Sequence, residues 1–298
     1  MTFRHLEAFV QVAEQGGFTR AADRLCLTQP TVSGQIKELE QQLGVSLFHR
    51  LPRVVELTEA GRLLLPRAAE LLASREGLLE WAAAYRGLLW GRLIVHASTI
   101  PGEYFLPPLL AAFKGEHPEL GISLSIHDSE AVLEQVRRGE AALGVVGKQV
   151  ANDGLVFRPL WRDHIALYAG VGGAVPRRID VGDLRQVPLV LREEGSGTRR
   201  AVEGAMQPLG ISLDACAVVA EFGSTTAVKQ AVAAGLGAGF LSDVSVAAEL
   251  ASGVLRRVEV AGFAAVPRRF FAVWDPERAP SPAAARFRET LLAAAGEP

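Results

Sequence analysis

FTRAADRLCLTQPTVSGQIKELE, running from Phe18 to Glu40, is the stretch whose reading decides the N-terminal fold. Ala21, Ala22 and Leu25 share one face of a short helix pattern, which Leu27 and Thr28 interrupt. A second helix opens at Gln29 and Pro30, where proline costs little because first-turn amides lack intrahelical partners anyway. Val32, Ile36 and Leu39 recur at i, i+4 and i+7 and give that helix one apolar face. Gln29, Thr31, Ser33, Gln35 and Lys37 are left for its outer surface. Two short helices, a tight turn, and small and amide side chains at the start of the second helix describe a helix-turn-helix. A glutamine there can pair with an adenine edge, and a serine hydroxyl can reach bases or phosphates. A plain helical hairpin would share the Ala-Ala spacing, so the flanking sequence has to decide between them.

Upstream, Phe3 to Gln15 predicts an amphipathic helix with Leu6, Phe9, Val10 and Ala13 on one face, ended by Gly16-Gly17. Downstream, Leu43-Gly44 closes the second helix of the motif. Leu47–Arg50 and Val54–Leu57 then predict a hairpin wing around Pro52, with Arg50 and Arg53 at its ends for phosphate or minor-groove contact. Thr58 is the expected N-cap of a long helix running towards Leu89. Along it Leu64, Leu71, Leu78 and Tyr85 recur every seven residues, with Leu65, Leu72 and Leu79 one position on. So broad an apolar stripe suits pairing with another helix. Pro66 should kink or locally break its first turns. Cys26, at the inter-helix turn, is expected to be a buried structural thiol, and Cys26 and Cys216 are too far apart in sequence to suggest a disulfide. With no apolar leader and no bilayer-length apolar run, the expected location is the cytoplasm, without membrane contact.

LEAFVQVAEQGGFTRAADRLCLTQPTVSGQIKELEQQLGVSLFHR followed by LTEAG, within Phe3 to Leu65, resembles the LysR-type transcriptional regulators. The resemblance implies an all-α winged helix-turn-helix over residues 1–58 and a long dimerising linker helix over 59–90. It implies an α/β effector-binding domain over 91–298, with two lobes similar to periplasmic binding proteins, 91–161 with 267–298 and 162–266. On this reading Thr28, Gln29, Pro30, Thr31, Ser33, Gln35, Lys37, Arg50 and Arg53 face double-stranded promoter DNA. Leu64, Leu71, Leu78 and Tyr85 form the dimer seam, sensor domains pair to give a homotetramer, and RNA polymerase is a further candidate partner. Gly34 departs from the family, which often carries a longer, basic side chain there. It also weakens the helix by roughly 1 kcal/mol relative to alanine.

Charge alone would not have suggested nucleic acid. The 298 residues hold 31 Lys and Arg against 33 Asp and Glu, a net charge of −2. Within residues 1–58, Arg4, Arg20, Arg24, Lys37, Arg50 and Arg53 balance Glu7, Glu14, Asp23, Glu38, Glu40 and Glu56. Any basic footprint must be local.

Past Gly91 strand and helix patterns alternate, from Leu93–Ala97 to a closing helix over Pro282–Ala294, which predicts parallel sheets with helices on both faces. Crossings between the lobes are expected near Trp161 and Val266. Ligands of such lobes bind beyond the carboxyl ends of strands, beside helix N-termini. Three turns there are rich in hydroxyls and glycine: Ser98-Thr99-Ile100, Gly195-Ser196-Gly197-Thr198-Arg199, and Ser224-Thr225. Amides and hydroxyls, with Arg199 adding charge, suit a small anion. STIPGEY, EGSGTR and GSTTAVKQAVAAGLGAGFLS are similar to LysR-type members tied to sulfur or selenium oxyanion metabolism, which implies sulfite or sulfate as effector, with a small carboxylate as the rival. No cofactor is called for.

Enzyme readings find little support. Gly139 and Gly144 have P-loop spacing, but Val145 stands where lysine is required. Ser196 lacks the nucleophile-elbow pattern, with Glu194 in place of its first glycine, and the six histidines form no metal spacing. The alternative of a different class is a cytoplasmic solute-binding or enzymatic α/β protein whose first helices only oligomerise.

Overall fold

The computed structural model describes residues 1–50, 55–85, 89–150 and 154–295, and the chain divides into two compact units, 1–87 and 88–298. The first contains α1 (Phe3–Gln15), α2 (Phe18–Leu25), α3 (Gln29–Leu43), a two-stranded wing of β1 (Phe48–Arg50) and β2 (Val55–Leu57), and α4 (Glu59–Tyr85). Leu6, Phe9 and Val10 of α1 meet Ala21 and Ala22 of α2 and Val32, Ile36 and Leu39 of α3 in one core. The alanines let α2 approach closely while the larger side chains fill the space.

Cys26 is exposed, not buried, and takes φ +54 at the end of α2. The Leu27 amide donates to the Ala22 carbonyl at 2.9 Å, and this closure of the helix end puts Cys26 in the left-handed conformation with its side chain outward. Leu47 is buried and its carbonyl accepts from the Thr58 amide at 2.9 Å, the next pair in the wing register, but its own amide is taken by Glu40, so the strand stops at Phe48. Leu51, Pro52, Arg53 and Val54 lie outside the described residues, as does the side chain of Arg50.

Thr58 caps α4, its hydroxyl accepting from the Gly61 amide at 3.0 Å and donating to the Ser46 carbonyl at 2.7 Å. The helix remains continuous through Pro66, without the expected break. Pro66 is exposed, so the carbonyl that loses its donor can turn to water. The apolar stripe divides. Leu64, Leu65, Ala68 and Leu72 pack on the core of their own unit, and Arg75 reaches Glu7 at 2.7 Å. Leu71 and Leu78 stay 49% and 65% exposed. Leu64 therefore belongs to the intrachain core rather than to the outward seam, since α1 covers that side of α4. The side chain of Tyr85 lies outside the description.

The second unit runs β3 (Gly91–Ser98), α5 (Leu106–Glu116), β4 (Leu120–His127), α6 (Ser129–Arg138), β5 (Leu143–Val146), β6 (Val156–Gly170), β7 (Arg178–Asp180) and β8 (Leu189–Arg192). It continues with α7 (Gly197–Met206), β9 (Val218–Phe222), α8 (Thr225–Ala233), β10 (Ala238–Ser242), α9 (Ala247–Ala251), β11 (Leu255–Arg257), β12 (Glu259–Ala261), β13 (Val266–Trp274) and α10 (Pro282–Ala294). Among the described residues nine strands form one sheet in the order β4-β3-β5-β13-β6-β10-β8-β9, with β11 also on β6.

The sheet is mixed rather than parallel. β6 runs antiparallel to β10, β11 and β13, and β13 antiparallel to β5 as well. These two long strands traverse the unit. At one end β3, β4, β5, α5 and α10 enclose Leu93, Leu106, Leu143 and Phe287, while α6 packs Val132, Leu133 and Val136 against Val146 and Val273 in a separate cluster. At the other, β8, β9, β10, α7 and α8 enclose Leu167, Leu189, Val202 and Phe240 on one face and Tyr168, Val190 and Val228 on the other. We call these ends lobe I and lobe II. Between them the β6–β13 register shifts at Arg269/Phe271, opposite Pro159, which has no amide proton for the ladder. That proline is also why the first half of β6 escaped a sequence reading, since proline argues against a central strand.

Candidate functional site

In the first unit the site is the exposed start of α3. Thr28 caps it, its hydroxyl oxygen 3.4 Å from the Thr31 amide and 2.7 Å from the Thr31 hydroxyl. Both hydroxyls thereby hold each other beside the uncoiled turn. Thr28, Gln29, Pro30, Thr31 and Lys37 are exposed, whereas Ser33 and Gln35, expected on the outer surface, are half-buried. Their positions flank the buried Val32 and Ile36, so the free face of α3 is narrower than its spacing suggested. Glu40, which sequence reasoning counted only as a charge, accepts from the Leu47 amide at 2.7 Å and ties α3 to the wing. No short-range pattern announces that contact. Arg53 and the side chain of Arg50 lie outside the described residues.

In the second unit the three hydroxyl-rich turns all lie at strand carboxyl ends: Ser98 ends β3, residues 193–196 follow β8, and Gly223-Ser224 follow β9. The first is not a loop. Ile100 is already helical, and a π-helical turn over Pro101–Phe105 leads directly into α5. Ser98 and Ile100 are buried and Thr99 half-buried. Gly195 takes φ +85, a conformation glycine adopts freely, and so turns the chain into α7. Ser196 occupies the N-cap of α7 but makes no side-chain cap bond, so the first amides of that helix remain open to an outside acceptor. Ser224, in contrast, caps α8 by accepting from the Ala227 amide at 3.1 Å.

Charge is distributed differently from the expectation. Arg199 is buried and engaged by Glu203 at 2.8 Å, Glu221 at 2.6 Å and the Arg192 carbonyl at 3.1 Å. Burial works against its charge, yet Glu203 and Glu221 prevail and hold the guanidinium above its ordinary pKa. It is a structural strut of lobe II rather than a free cation for a ligand. Arg192 is likewise clamped by Glu193 at 2.7 and 2.8 Å and donates to the Thr225 hydroxyl at 2.6 Å.

Where β13 meets β6, Arg268 stands opposite Asp163, with Nε 2.8 Å and Nη2 2.7 Å from one carboxylate oxygen. Ser242 donates to the same oxygen at 2.6 Å, and Arg268 Nη1 lies 3.3 Å from the Thr198 hydroxyl. Burial pushes the Arg268 guanidinium down, with Asp163 opposing it. This hinge cluster was readable only as opposite charges near two predicted crossings. Its partners come together through the antiparallel pairing of β6 and β13, which a parallel sheet would not have supplied.

Contacts among the described residues join the lobes across the cleft. Lys229 of α8 lies 5.7 Å from the centre of the Tyr104 ring, and Arg200 of α7 is 3.5 Å from Glu130 of α6. Tyr104 of the 101–105 turn, the start of α6, and α7 and α8 therefore approach one another across this cleft, with Lys229 and Arg200 as charged groups at its edge. At these helix starts Ser98, Ser196 and Thr198 are buried and Thr99 half-buried, while Thr225 accepts from Arg192 and Arg199 is held by Glu203 and Glu221. Among the described residues no group of His, Cys, Asp or Glu could hold a metal ion, and no helix is long and apolar enough to cross a membrane.

Comparison with known proteins places both units. Residues 3–62 match the family model described as a bacterial regulatory helix-turn-helix protein, lysR family, and residues 86–296 match the LysR substrate binding domain. The chain is 33% identical to the HTH-type transcriptional activator CmpR of Synechocystis sp. over 98% of its own length and 95% of the relative. It is 35% identical to the RuBisCO operon transcriptional regulator of Acidithiobacillus ferrooxidans, over 99% of its length and 95% of that protein. Among solved structures, full-length CbnR complexed with its target DNA aligns with a TM-score of 0.68 and 26% identity, covering 99% of this chain and 100% of CbnR. The regulatory domain of Synechocystis CcmR in complex with 2-PG aligns with a TM-score of 0.61 and 26% identity, covering 70% of this chain and 98% of that domain.

Proposed function

The chain belongs to the LysR family of bacterial transcriptional regulators, and from that premise we propose that a small anion in its interlobe cleft controls how it engages promoter DNA. It is a DNA-binding regulator with an effector-binding domain, not an enzyme. The observation that carries the effector reading is the uncapped start of α7, where Gly195-Ser196-Gly197-Thr198 offers amides and hydroxyls while the nearby arginines are neutralised by carboxylates. Neutral donors plus helix N-termini favour a compact anion, because they can surround its oxygens without a counter-cation. Sulfite or sulfate fits such a donor set. A small organic anion is the second reading, supported by the 2-PG complex of the CcmR domain. The protein assembles through the exposed outer stripe of α4, and the family architecture extends the dimer to a tetramer.

Calorimetry with sulfite, sulfate, short carboxylates and organic phosphates tests the effector. Thr99→Val and Thr198→Val each leave a ligand oxygen unmatched and should cost about 1–3 kcal/mol of affinity, with basal DNA binding intact. Equal affinity in all three proteins would remove these turns from the site. On DNA, Gln29→Ala should cost about 1–3 kcal/mol and relax preference at one base pair. Arg50→Ala should weaken all sequences alike and flatten the salt dependence. Gel shifts on the protein's own upstream region, at several salt concentrations, distinguish these outcomes. If neither change moved specific or non-specific affinity, α3 would not be the groove-reading helix.

A further inference from the structure

β11 and β13 both pair with the same edge of β6, β11 against Tyr168–Gly170 and β13 from Ile165 onward. Between them the edge at Ala166 and Leu167 is bridged by one bond, from the Val258 amide to the Leu167 carbonyl at 2.8 Å. β12 leaves the sheet there to pair with β7. A tight turn, with the Phe263 amide on the Val260 carbonyl at 3.1 Å and Gly262 at φ +83, then brings residues 263–265 back over the gap. The result is a pocket of about 540 Å³ on lobe II, within the range of small-molecule sites, roughly 300–1,000 Å³.

Its inner wall carries apolar side chains. Leu167 and Val258 are almost fully buried, and Phe263 packs edge-on against Phe240 with ring centroids 6.0 Å apart. Its rim is cationic. Arg177 and Arg257 both line it, and among the described residues neither guanidinium has an ion-pair or hydrogen-bond partner. The one acid lining it, Glu259, is 3.4 Å from Arg178, so the rim keeps two uncompensated positive charges. None of these residues belongs to the hydroxyl-rich turns or the hinge.

We propose that this sheet-edge pocket is a second ligand site, which takes an amphipathic anion. An apolar body, an aromatic ring or short chain, lies against Phe263, Val258 and Leu167. A phosphate or carboxylate is held by Arg177 and Arg257, whose planar forks suit paired oxygens. A bare inorganic anion would leave the apolar wall wet, and an uncharged apolar molecule would leave the arginines unmatched.

Phenyl phosphate is the probe, with inorganic phosphate and benzyl alcohol as its separated halves, titrated calorimetrically into the full-length protein. Phenyl phosphate should bind at least about tenfold more tightly than either half, as expected when both charge and apolar area contribute. Arg177→Gln combined with Arg257→Gln should weaken it by about tenfold or more, and Phe263→Ala should act in the same direction. Both arginines are exposed, so the double variant keeps its core, and retained helical circular dichroism verifies this. Thr198→Val, a change in the cleft, should leave phenyl phosphate binding unchanged. Absence of binding, equal binding of inorganic phosphate, or insensitivity to the arginine pair would overturn the proposal. Loss of binding in Thr198→Val alone would also overturn it, by moving the probe into the cleft.

Discussion

A β-carbon added at Gly34 would meet nothing within 4 Å, whereas one added at Gly61 would lie 2.3 Å from the Leu47 carbonyl oxygen. Opposite outcomes follow from the same substitution. Gly34→Ala should stabilise the DNA-binding unit by roughly 1 kcal/mol through helix propensity. Gly61→Ala should destabilise it by about 1–3 kcal/mol, because α4 must retreat from the wing. Urea denaturation of the two variants compares them directly, and a stabilised Gly61→Ala would mean that the wing gives way freely. The sequence made Gly34 conspicuous because it sits inside a periodic helix. Gly61 was silent, since its constraint is a through-space approach to a residue fourteen positions earlier. Arg199 misled for a related reason: a cation beside a glycine turn looks available until Glu203 and Glu221 are seen around it.

Among elements, α4 illustrates what periodicity does and does not convey. Two seven-residue series marked a helix with a wide apolar face. They did not say which edge α1 would cover, and it covers Leu64, Leu65 and Leu72. Leu71 and Leu78 remain outward and should form the association surface. Leu71→Asp combined with Leu78→Asp is expected to shift the protein to a smaller species by light scattering, with thermal stability changed little. Unchanged mass would place the association surface elsewhere. The strands divide in the same way. Those with uninterrupted apolar runs, such as β3 and β10, were legible. β7, β11 and β12 are three residues each, and the first half of β6 carries Pro159. Their pairing is set by distant partners, so no local pattern could supply it.

For the whole molecule, the cleft donors were partly visible as hydroxyl-rich turns, but the contacts that span the lobes were not. Glu130 is the clearest. Lys148 and Arg200 hold its carboxyl below the usual range, so its pairing is present above the ordinary carboxylate pKa and is lost as pH falls through the depressed folded value. Between about pH 5 and about pH 3, amide exchange at the start of α7 should rise beyond its intrinsic pH dependence. Glu130→Gln should raise that exchange already at the upper pH and remove the step. A step that persists in Glu130→Gln would assign it to another group.

The two long strands also order events in time. The residues enclosing the lobe II core run from Ile165 to Val266, one unbroken segment, whereas the lobe I core joins Leu93 and Leu143 to Ala272, Phe287 and Leu291. On the ribosome the inner lobe can consolidate as soon as it emerges. The outer lobe must wait for β13 and α10, an interval on the order of ten seconds at ~5–20 residues per second. Throughout that wait β5 lacks its neighbour β13, and a nascent-chain chaperone would find its exposed strand edge in the half that was made first.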